Sequence, residues 1–154
     1  MAPKNWKIGL VILVSILALV LESVIKYSIV NKLPVSGVYL VKPILQIIYT
    51  PNYNIAFSLP LPFVMVIVIV ISALIFLSYL WRHYLKSGDL KLLFAISLVI
   101  VGALSNLIDR FALGYVVDYI NIFIWPIFNL ADCLIVAGIF IYLSNEIRFM
   151  KPKK

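Results

Sequence analysis

The chain has 154 residues, of which 64% are hydrophobic and only 12% are charged, and its formal net charge is +7. These proportions lie far outside those of soluble globular domains and indicate an integral membrane protein. The basic residues fall between apolar segments rather than in a patch interleaved with aromatic side chains, which argues against nucleic acid as a partner.

Four apolar segments are long enough to cross a bilayer, since a helical span needs about 20 mainly apolar residues. They cover approximately residues 8–27, 63–81, 92–108 and 127–143. These runs are too long and unbroken for barrel strands, which alternate over about ten residues. The sequence therefore predicts an all-α membrane protein, a four-transmembrane-helix bundle that forms a single domain over residues 1–154.

The basic residues give this bundle an orientation. Nine of the 13 precede the first span, separate the second from the third, or follow the fourth, and the positive-inside rule places these three groups in the cytoplasm. The opposite side keeps the smaller set Lys32, Lys42 and Arg110. Both termini are then cytoplasmic, and the connections at residues 31–62 and 109–126 lie outside. The cytoplasmic set comprises Lys4, Lys7, Arg82, Lys86, Lys91, Arg148, Lys151, Lys153 and Lys154.

The two outer connections carry signals for strands rather than for helices. The first contains five prolines and the short apolar stretches 38–41 and 44–49. The second carries a β-branched and aromatic run at residues 115–120. We therefore predict a small extracytoplasmic β-rich platform beside the helices.

Acidic residues are scarce, and three of the six lie between residues 102 and 132. Asp118 and Asp132 have no basic residue within seven positions, so sequence-local ion pairs do not account for them. Two carboxylates about 3 Å apart cannot both ionise, so one can act as a general base on water while the other donates a proton. The single cysteine and single histidine provide no cluster with metal-ligand spacing. The pattern favours aspartic-peptidase chemistry without a metal.

Other polar residues fall at the same outer end of the spans. Glu22 and Lys26 share a helix face, and Asp109 adjoins Arg110, so each couple is interpreted as a local ion pair that supports the site. Asn106 shares a face with Asp109, and Asn129 with Asp132. Asn52 lies in the first outer connection.

Two other classes of function remain open from these residues. A proton-coupled transporter also uses intramembrane carboxylates, but it needs polar groups through both halves of the bilayer, and the inner halves of the predicted spans contain no acid. A non-catalytic assembly subunit that binds through the outer platform is the other alternative, and an activity test separates it from a peptidase.

Four short blocks follow the motifs of one known family in order. Residues 51–58, Pro-Asn-Tyr-Asn-Ile-Ala-Phe-Ser, resemble Asn-x-Gly-x-Ala-Phe, and residues 102–110, Gly-Ala-Leu-Ser-Asn-Leu-Ile-Asp-Arg, resemble Gly-Ala-x-Gly-Asn-x-x-Asp-Arg. Val-Val-Asp-Tyr at 116–119 and Phe-Asn-Leu-Ala-Asp at 128–132 are similar to the two blocks that contain that family's catalytic aspartates. Over essentially its whole length the chain resembles bacterial lipoprotein signal peptidase, or signal peptidase II, an aspartic membrane peptidase.

The resemblance implies a catalytic dyad of Asp118 and Asp132, with no metal or cofactor. It implies cleavage of diacylglyceryl-modified prolipoproteins just before the lipidated cysteine, by a monomer in contact with lipid in the bacterial cytoplasmic (inner) membrane, with the active site near the extracytoplasmic face. The residues expected to bind substrate or support the site are Asn52, Asn106, Asp109, Arg110, Asn129, Glu22 and Lys26.

The chain departs from the family pattern at three positions. Glu22 stands where the family usually has Asp, and Asn54 and Ser105 each replace a glycine. Asn adopts left-handed backbone conformations more readily than most residues, and Ser is small enough for close helix packing. A divergent paralogue with altered substrates is the corresponding alternative function.

Overall fold

The computed structural model describes residues 5–54 and 61–150. Residues 55–58 of the first motif block and the predicted cytoplasmic residues Lys4, Lys151, Lys153 and Lys154 lie outside these ranges, as does the side chain of Arg148. The described helices are α1 (Asn5–Lys32), α2 (Phe63–Ser87), α3 (Leu90–Leu113) and α4 (Leu130–Met150), and the strands are β1 (Val38–Val41), β2 (Leu45–Asn52) and β3 (Val116–Ile122).

Among the described helices, α1, α2 and α3 are long and apolar enough to cross a membrane. The fourth carries a shorter apolar section, Leu130–Asn145. Large apolar side chains such as Leu17 and Phe76 are exposed along α1 and α2. An apolar surface this extensive is typical of contact with lipid rather than with water.

The third helix extends further than the sequence predicts. Asp89 caps its start by accepting a hydrogen bond from the Leu92 N–H at 3.0 Å, and Gly114, at φ 83°, ends it. Asp109 and Arg110 therefore lie inside α3, which continues beyond residue 108, the approximate end of the third predicted span. The fourth helix starts at Leu130 rather than at residue 127, because Asn129 caps it.

The predicted β-rich platform is a three-stranded antiparallel sheet in the order β1-β2-β3. Its third strand comes from the second outer connection, so both connections contribute to the same sheet. Thr50 pairs with Asp118 and Asn52 pairs with Val116. Beyond β3, Phe128 forms an isolated bridge with Ile120. The sheet thus brings Asn52, Asp118 and the segment before α4 to one place.

A small apolar cluster joins this sheet to the first helix. Ile29 of α1 packs with Val117 and Tyr119 of β3, and all three are buried. Because strand side chains alternate between faces, Val117 and Tyr119 point towards this cluster while Asp118 between them points to the other face. The apolar contacts therefore determine the direction of the Asp118 carboxylate.

The third and fourth helices pack closely because of two glycines. A Cβ added at Gly102 would collide with the carbonyl oxygen of Ala131, and one at Gly138 would lie 2.5 Å from the carbonyl oxygen of Ala95. Small residues at such positions let helix backbones approach one another within a membrane. The approach at Gly102 also determines the position of the first turn of α4.

We expect Gly102→Ala and Gly138→Ala each to lower stability by about 1–3 kcal/mol, because each methyl forces α3 and α4 apart. Gly9→Ala is the matched control, since a Cβ at Gly9 meets no atom within 4 Å among the described residues. Thermal unfolding in one detergent compares the three variants. Equal melting temperatures for all three would contradict the close packing.

Candidate active site

A buried lysine lies at the centre of the polar residues that the sequence singles out. The Lys26 Nζ lies 2.7 Å from Asp109 Oδ2 and 3.5 Å from Glu22 Oε1. It also donates hydrogen bonds to Asn106 Oδ1 at 2.9 Å and to Ser105 Oγ at 3.2 Å. The Lys26 residue is only 3% exposed and Glu22 is 0% exposed. A buried charge needs partners of this kind, because desolvation is otherwise costly.

Glu22 connects the first helix to two other elements. Its Oε2 accepts a hydrogen bond from the Tyr119 hydroxyl at 2.8 Å, and its Oε1 accepts one from the Ala131 N–H at 3.2 Å. Burial, followed by the hydrogen bond to Glu22, raises the pKa of the Tyr119 phenol, which therefore stays a donor. Sequence reasoning missed Tyr119 as a supporting residue. Its position beside Asp118 in the motif block was the available signal.

The sequence paired Asp109 with Arg110, and this pairing is wrong. The ion-pair partner of Asp109 is Lys26, and its Oδ2 also accepts a hydrogen bond from the Val117 N–H at 3.0 Å. Arg110 instead donates to the backbone carbonyls of Asn106 at 3.0 Å and Asn54 at 3.3 Å. Adjacent residues on a helix point about 100° apart, so they do not face each other.

Asp118 receives two amide hydrogen bonds from opposite sides. Asn52 Nδ2 donates to its Oδ2 at 2.8 Å, and Asn129 Nδ2 donates to its Oδ1 at 2.8 Å. Burial nevertheless raises the pKa of the Asp118 carboxyl from about 3.8 to about 6, with the nearby Asp132 charge acting in the same direction. The donors from Asn52 and Asn129 oppose that rise. Asp118 can therefore hold a proton in mildly acidic solution.

Asp132 lies in the first turn of α4, in a reciprocal capping arrangement with Asn129. The Asn129 Oδ1 accepts from the Asp132 N–H at 2.9 Å, and Asp132 Oδ2 accepts from the Asn129 N–H at 3.2 Å. Asn106 Nδ2 donates to the remaining oxygen, Asp132 Oδ1, at 2.8 Å. Asn129 thus contacts both aspartates, through its side-chain amide at Asp118 and its backbone at Asp132.

All three departures from the family pattern have partners in this cluster, and those of Glu22 are Lys26, Tyr119 and Ala131. Ser105 accepts a hydrogen bond from Lys26. The Asn54 N–H donates to Asn52 Oδ1 at 2.9 Å, which turns the Asn52 NH₂ group towards Asp118. A side-chain oxygen that accepts from the backbone two residues on is the usual Asx turn.

Both aspartates line one cleft of about 680 Å³, which falls within the roughly 300–1,000 Å³ typical of ligand sites. Apolar side chains from α2, α3 and α4 line one part of it, among them Val70, Ala103 and Ile135. The polar part of the lining comprises Thr50, Asn52, Tyr53, Asn54, Asn106, Arg110, Asp118 and Asp132. Nine site residues were predicted from the sequence. Five of them line the cleft: the two aspartates, Asn52, Asn106 and Arg110. A sixth, Asn129, contacts both aspartates. Glu22, Lys26 and Asp109 lie behind it.

The chain is similar to known proteins over most of its length. The family model described as signal peptidase (SPase) II matches residues 14–148. The lipoprotein signal peptidase of Halothermothrix orenii is 37% identical over 131 residues, covering 84% of this chain and 89% of that protein. That of Pseudoalteromonas translucida is 34% identical, covering 100% of this chain and 98% of its own.

Two solved structures, both described as bacterial membrane enzymes, share the fold. The first has a TM-score of 0.84 and 29% identity and covers 96% of this chain and 94% of its own. The second has a TM-score of 0.79 and 29% identity, and it covers 95% of this chain and 96% of its own. The family match extends over most of the chain and includes both aspartates. This chain therefore belongs to the signal peptidase II family and is a membrane peptidase.

Proposed function

We propose that this peptidase is an aspartic endopeptidase in which Asp118 and Asp132 form the catalytic dyad. The observation that carries the proposal is that both carboxylates line the same cleft and are held by the same asparagine, Asn129. The ionised carboxylate takes a proton from water, which attacks the scissile carbonyl. The protonated carboxyl donates its proton to the carbonyl oxygen. The other carboxyl, which now carries the proton taken from water, donates that proton to the leaving amine as the C–N bond breaks, and the first carboxylate recovers a proton from the tetrahedral diol.

The neighbouring residues then act as supports. Asn52, Asn106 and Asn129 hold the carboxylates by donating hydrogen bonds to them. Arg110 joins the turn at Asn54 to α3 and contributes positive charge at the cleft. Neither a metal nor a cofactor is part of this mechanism.

The proposed substrates are prolipoproteins whose lipobox cysteine already bears diacylglycerol, and cleavage occurs just before that cysteine. The relatives' names support this substrate class. The cleft supports it as well, because its apolar wall at Val70, Ala103 and Ile135 suits a signal segment or acyl chain, next to the two carboxylates. A divergent paralogue would keep this chemistry on other substrates.

A direct assay tests the function. Purified protein is incubated with a diacylglyceryl-modified prolipoprotein, and signal-peptide release is followed by gel shift and mass spectrometry. The same prolipoprotein without its diacylglyceryl group is the control. Release from the modified form alone is expected, and no release from either form would contradict the proposal.

We further propose four membrane spans in a single domain that acts as a monomer in the bacterial inner membrane, with both termini in the cytoplasm. The 21 residues of α4 support a fourth span, since at about 1.5 Å per residue such a helix reaches the roughly 30 Å of a bilayer core. The basic residues support an extracytoplasmic active site.

Cysteine labelling tests this topology in a Cys133→Ser background. Cysteines placed between Arg82 and Lys91 should react only with reagent in the cytoplasm, and cysteines at Gly37 or Gly114 only with reagent outside. A membrane-impermeant maleimide applied to intact and to opened cells measures the difference. Labelling at Gly114 from the cytoplasm would overturn the proposed side of the active site.

The pH dependence of cleavage should be bell-shaped, because the active dyad holds one proton. Burial raises the pKa of Asp118 to about 6, so raising the pH above this value removes the shared proton, and kcat/KM should decline. The lower limb marks protonation of the second carboxylate. Initial rates between pH 4 and 9, in roughly half-unit steps, measure the profile, and a flat profile across pH 6 would count against a shared proton.

The transporter alternative receives no support from the described residues. The acidic groups Glu22, Asp109, Asp118 and Asp132 meet in one cluster at one end of the helices. A proton path would need such groups through both halves of the bilayer.

A further inference from the structure

Three asparagines donate hydrogen bonds to the two aspartates, and each can do so only if its amide points the right way. Asn52 and Asn129 donate to Asp118, and Asn106 donates to Asp132. An amide turned over by 180° would present its oxygen to the carboxylate instead of its NH₂ group. Whatever fixes the three amide directions therefore determines how the dyad is held.

For two of these asparagines the backbone fixes the direction. The Asn52 Oδ1 accepts from the Asn54 N–H at 2.9 Å, and the Asn129 Oδ1 accepts from the Asp132 N–H at 2.9 Å. A backbone N–H is always a donor, so each amide oxygen must face it and each NH₂ group must face away. No backbone N–H is recorded at the Asn106 oxygen among the described residues.

The Asn106 oxygen faces the ammonium group of Lys26 instead, at 2.9 Å. An ammonium has three donors and no acceptor, so it excludes the turned-over amide. Asn129 Nδ2 also approaches this oxygen, at 3.2 Å, but its two hydrogens serve three acceptors, of which Asp118 Oδ1 is the nearest at 2.8 Å. Of the two hydrogen bonds to the Asn106 oxygen, the one from Lys26 is therefore the shorter, and its donor is charged.

We infer that Lys26 is a positioning residue for the reaction: it directs the Asn106 amide so that its NH₂ group, and not its oxygen, meets Asp132. This inference rests on the proposed aspartic dyad. It assigns Lys26 a function beyond ion pairing with Glu22 and Asp109, and it connects a buried cation on α1 to a carboxylate on α4 through one side chain.

Loss of Lys26 has a definite chemical consequence. With the amide turned over, the Asn106 oxygen would face Asp132 Oδ1, and two acceptors in contact need a proton between them. The dyad would then retain protons to higher pH, and loss of the Lys26 charge acts on Asp118 in the same direction. Both limbs of the pH profile should therefore move to higher pH.

The charged and titratable groups around this cluster are Glu22 on α1, Asp109 and Arg110 on α3, Asp118 and Tyr119 on β3, and Asp132 and Cys133 on α4.

Three variants of the full-length protein test the inference with the diacylglyceryl-modified prolipoprotein. Lys26→Met should move the profile of kcat/KM to higher pH by roughly one pH unit, which lowers kcat/KM on the acidic limb about tenfold. Lys26→Arg keeps a donor-only cation and should keep the wild-type profile even if the rate falls. Ser105→Ala removes another partner of Lys26 without changing the Asn106 amide, and its profile should also stay in place.

Lys26→Met leaves Asp109 buried without its cation, which is expected to destabilise the fold. A double variant keeps the inference testable if the Lys26→Met protein does not fold. Lys26→Met combined with Asp109→Asn removes both charges of the 2.7 Å pair, and it is compared with Asp109→Asn alone. A shift to higher pH in the double variant that is lost when Asn106→Ala is added supports the inference, because that protein has no amide for Lys26 to direct. A shift that persists without the amide comes from the Lys26 charge alone and overturns the inference, as does an unchanged profile in a folded double variant. Cleavage by a folded Asp118→Asn or Asp132→Asn protein would instead overturn the proposed dyad, so the two failures are distinguishable.

Discussion

Asp118→Asn and Asp132→Asn should each lower kcat for signal-peptide release by about 10³-fold or more, with the protein still folded. An amide has the size and shape of a carboxylate but can neither take a proton from water nor return one. Because a dyad acts as a unit, the double variant should be little slower than either single variant. Single-turnover cleavage of the diacylglyceryl-modified prolipoprotein measures all three rates.

Asp89→Asn is the matched control for the dyad variants. Asp89 also accepts a hydrogen bond from a backbone N–H, but it caps the start of α3 and does not line the cleft. Asn is an equally good capping residue, so this variant should cleave at the wild-type rate. Substantial cleavage by folded Asp118→Asn or Asp132→Asn protein, once deamidation and contaminating peptidase are excluded, would falsify the aspartic mechanism.

Asn129→Ala should lower kcat by about 10²-fold and destabilise the protein by about 2–4 kcal/mol. Asn129 is fully buried, and its side chain donates to Asp118 and caps α4 through the Asp132 N–H. Truncation removes the cap, leaves buried groups without partners and takes from Asp118 one of its two amide donors, while the backbone N–H of residue 129 still reaches Asp132. Thermal unfolding and single-turnover cleavage measure the two effects separately.

Asn121→Ala is the control for this variant. Asn121 lies in β3, the strand that carries Asp118, and its amide donates to Gln46 Oε1 at 3.3 Å, away from the cleft. It should cost less than about 1 kcal/mol and leave kcat unchanged, as expected for a partly exposed hydrogen bond. An equal loss of activity in the two variants would contradict a specific role for Asn129.

Local sequence was enough to predict the helices and the strands of the two connections. A long apolar run indicates a membrane helix, and a short β-branched and aromatic run indicates a strand, without knowledge of distant contacts. Local sequence was also enough to identify Asp118 and Asp132 as candidate catalytic residues, since a charged side chain in or near an apolar span is energetically costly and usually has a functional role. The third span was predicted to end near residue 108 because the apolar run stops there, at Asp109 and Arg110. They remain helical because Lys26 and backbone carbonyls satisfy them.

The sequence by itself determined the membrane class, the helical segments and most of the polar residues that line the cleft or lie behind it, although not Tyr119. The tertiary structure alone decided which of those residues meet. Lys26 reaches Asp109 and Asn106 across 83 and 80 positions of the chain, and Tyr119 reaches Glu22 across 97. Spacing along one helix predicts contacts only within about four residues. The partner of a buried charge is instead selected by the packing of α1 against α3 and β3, where desolvation makes any unpaired group expensive.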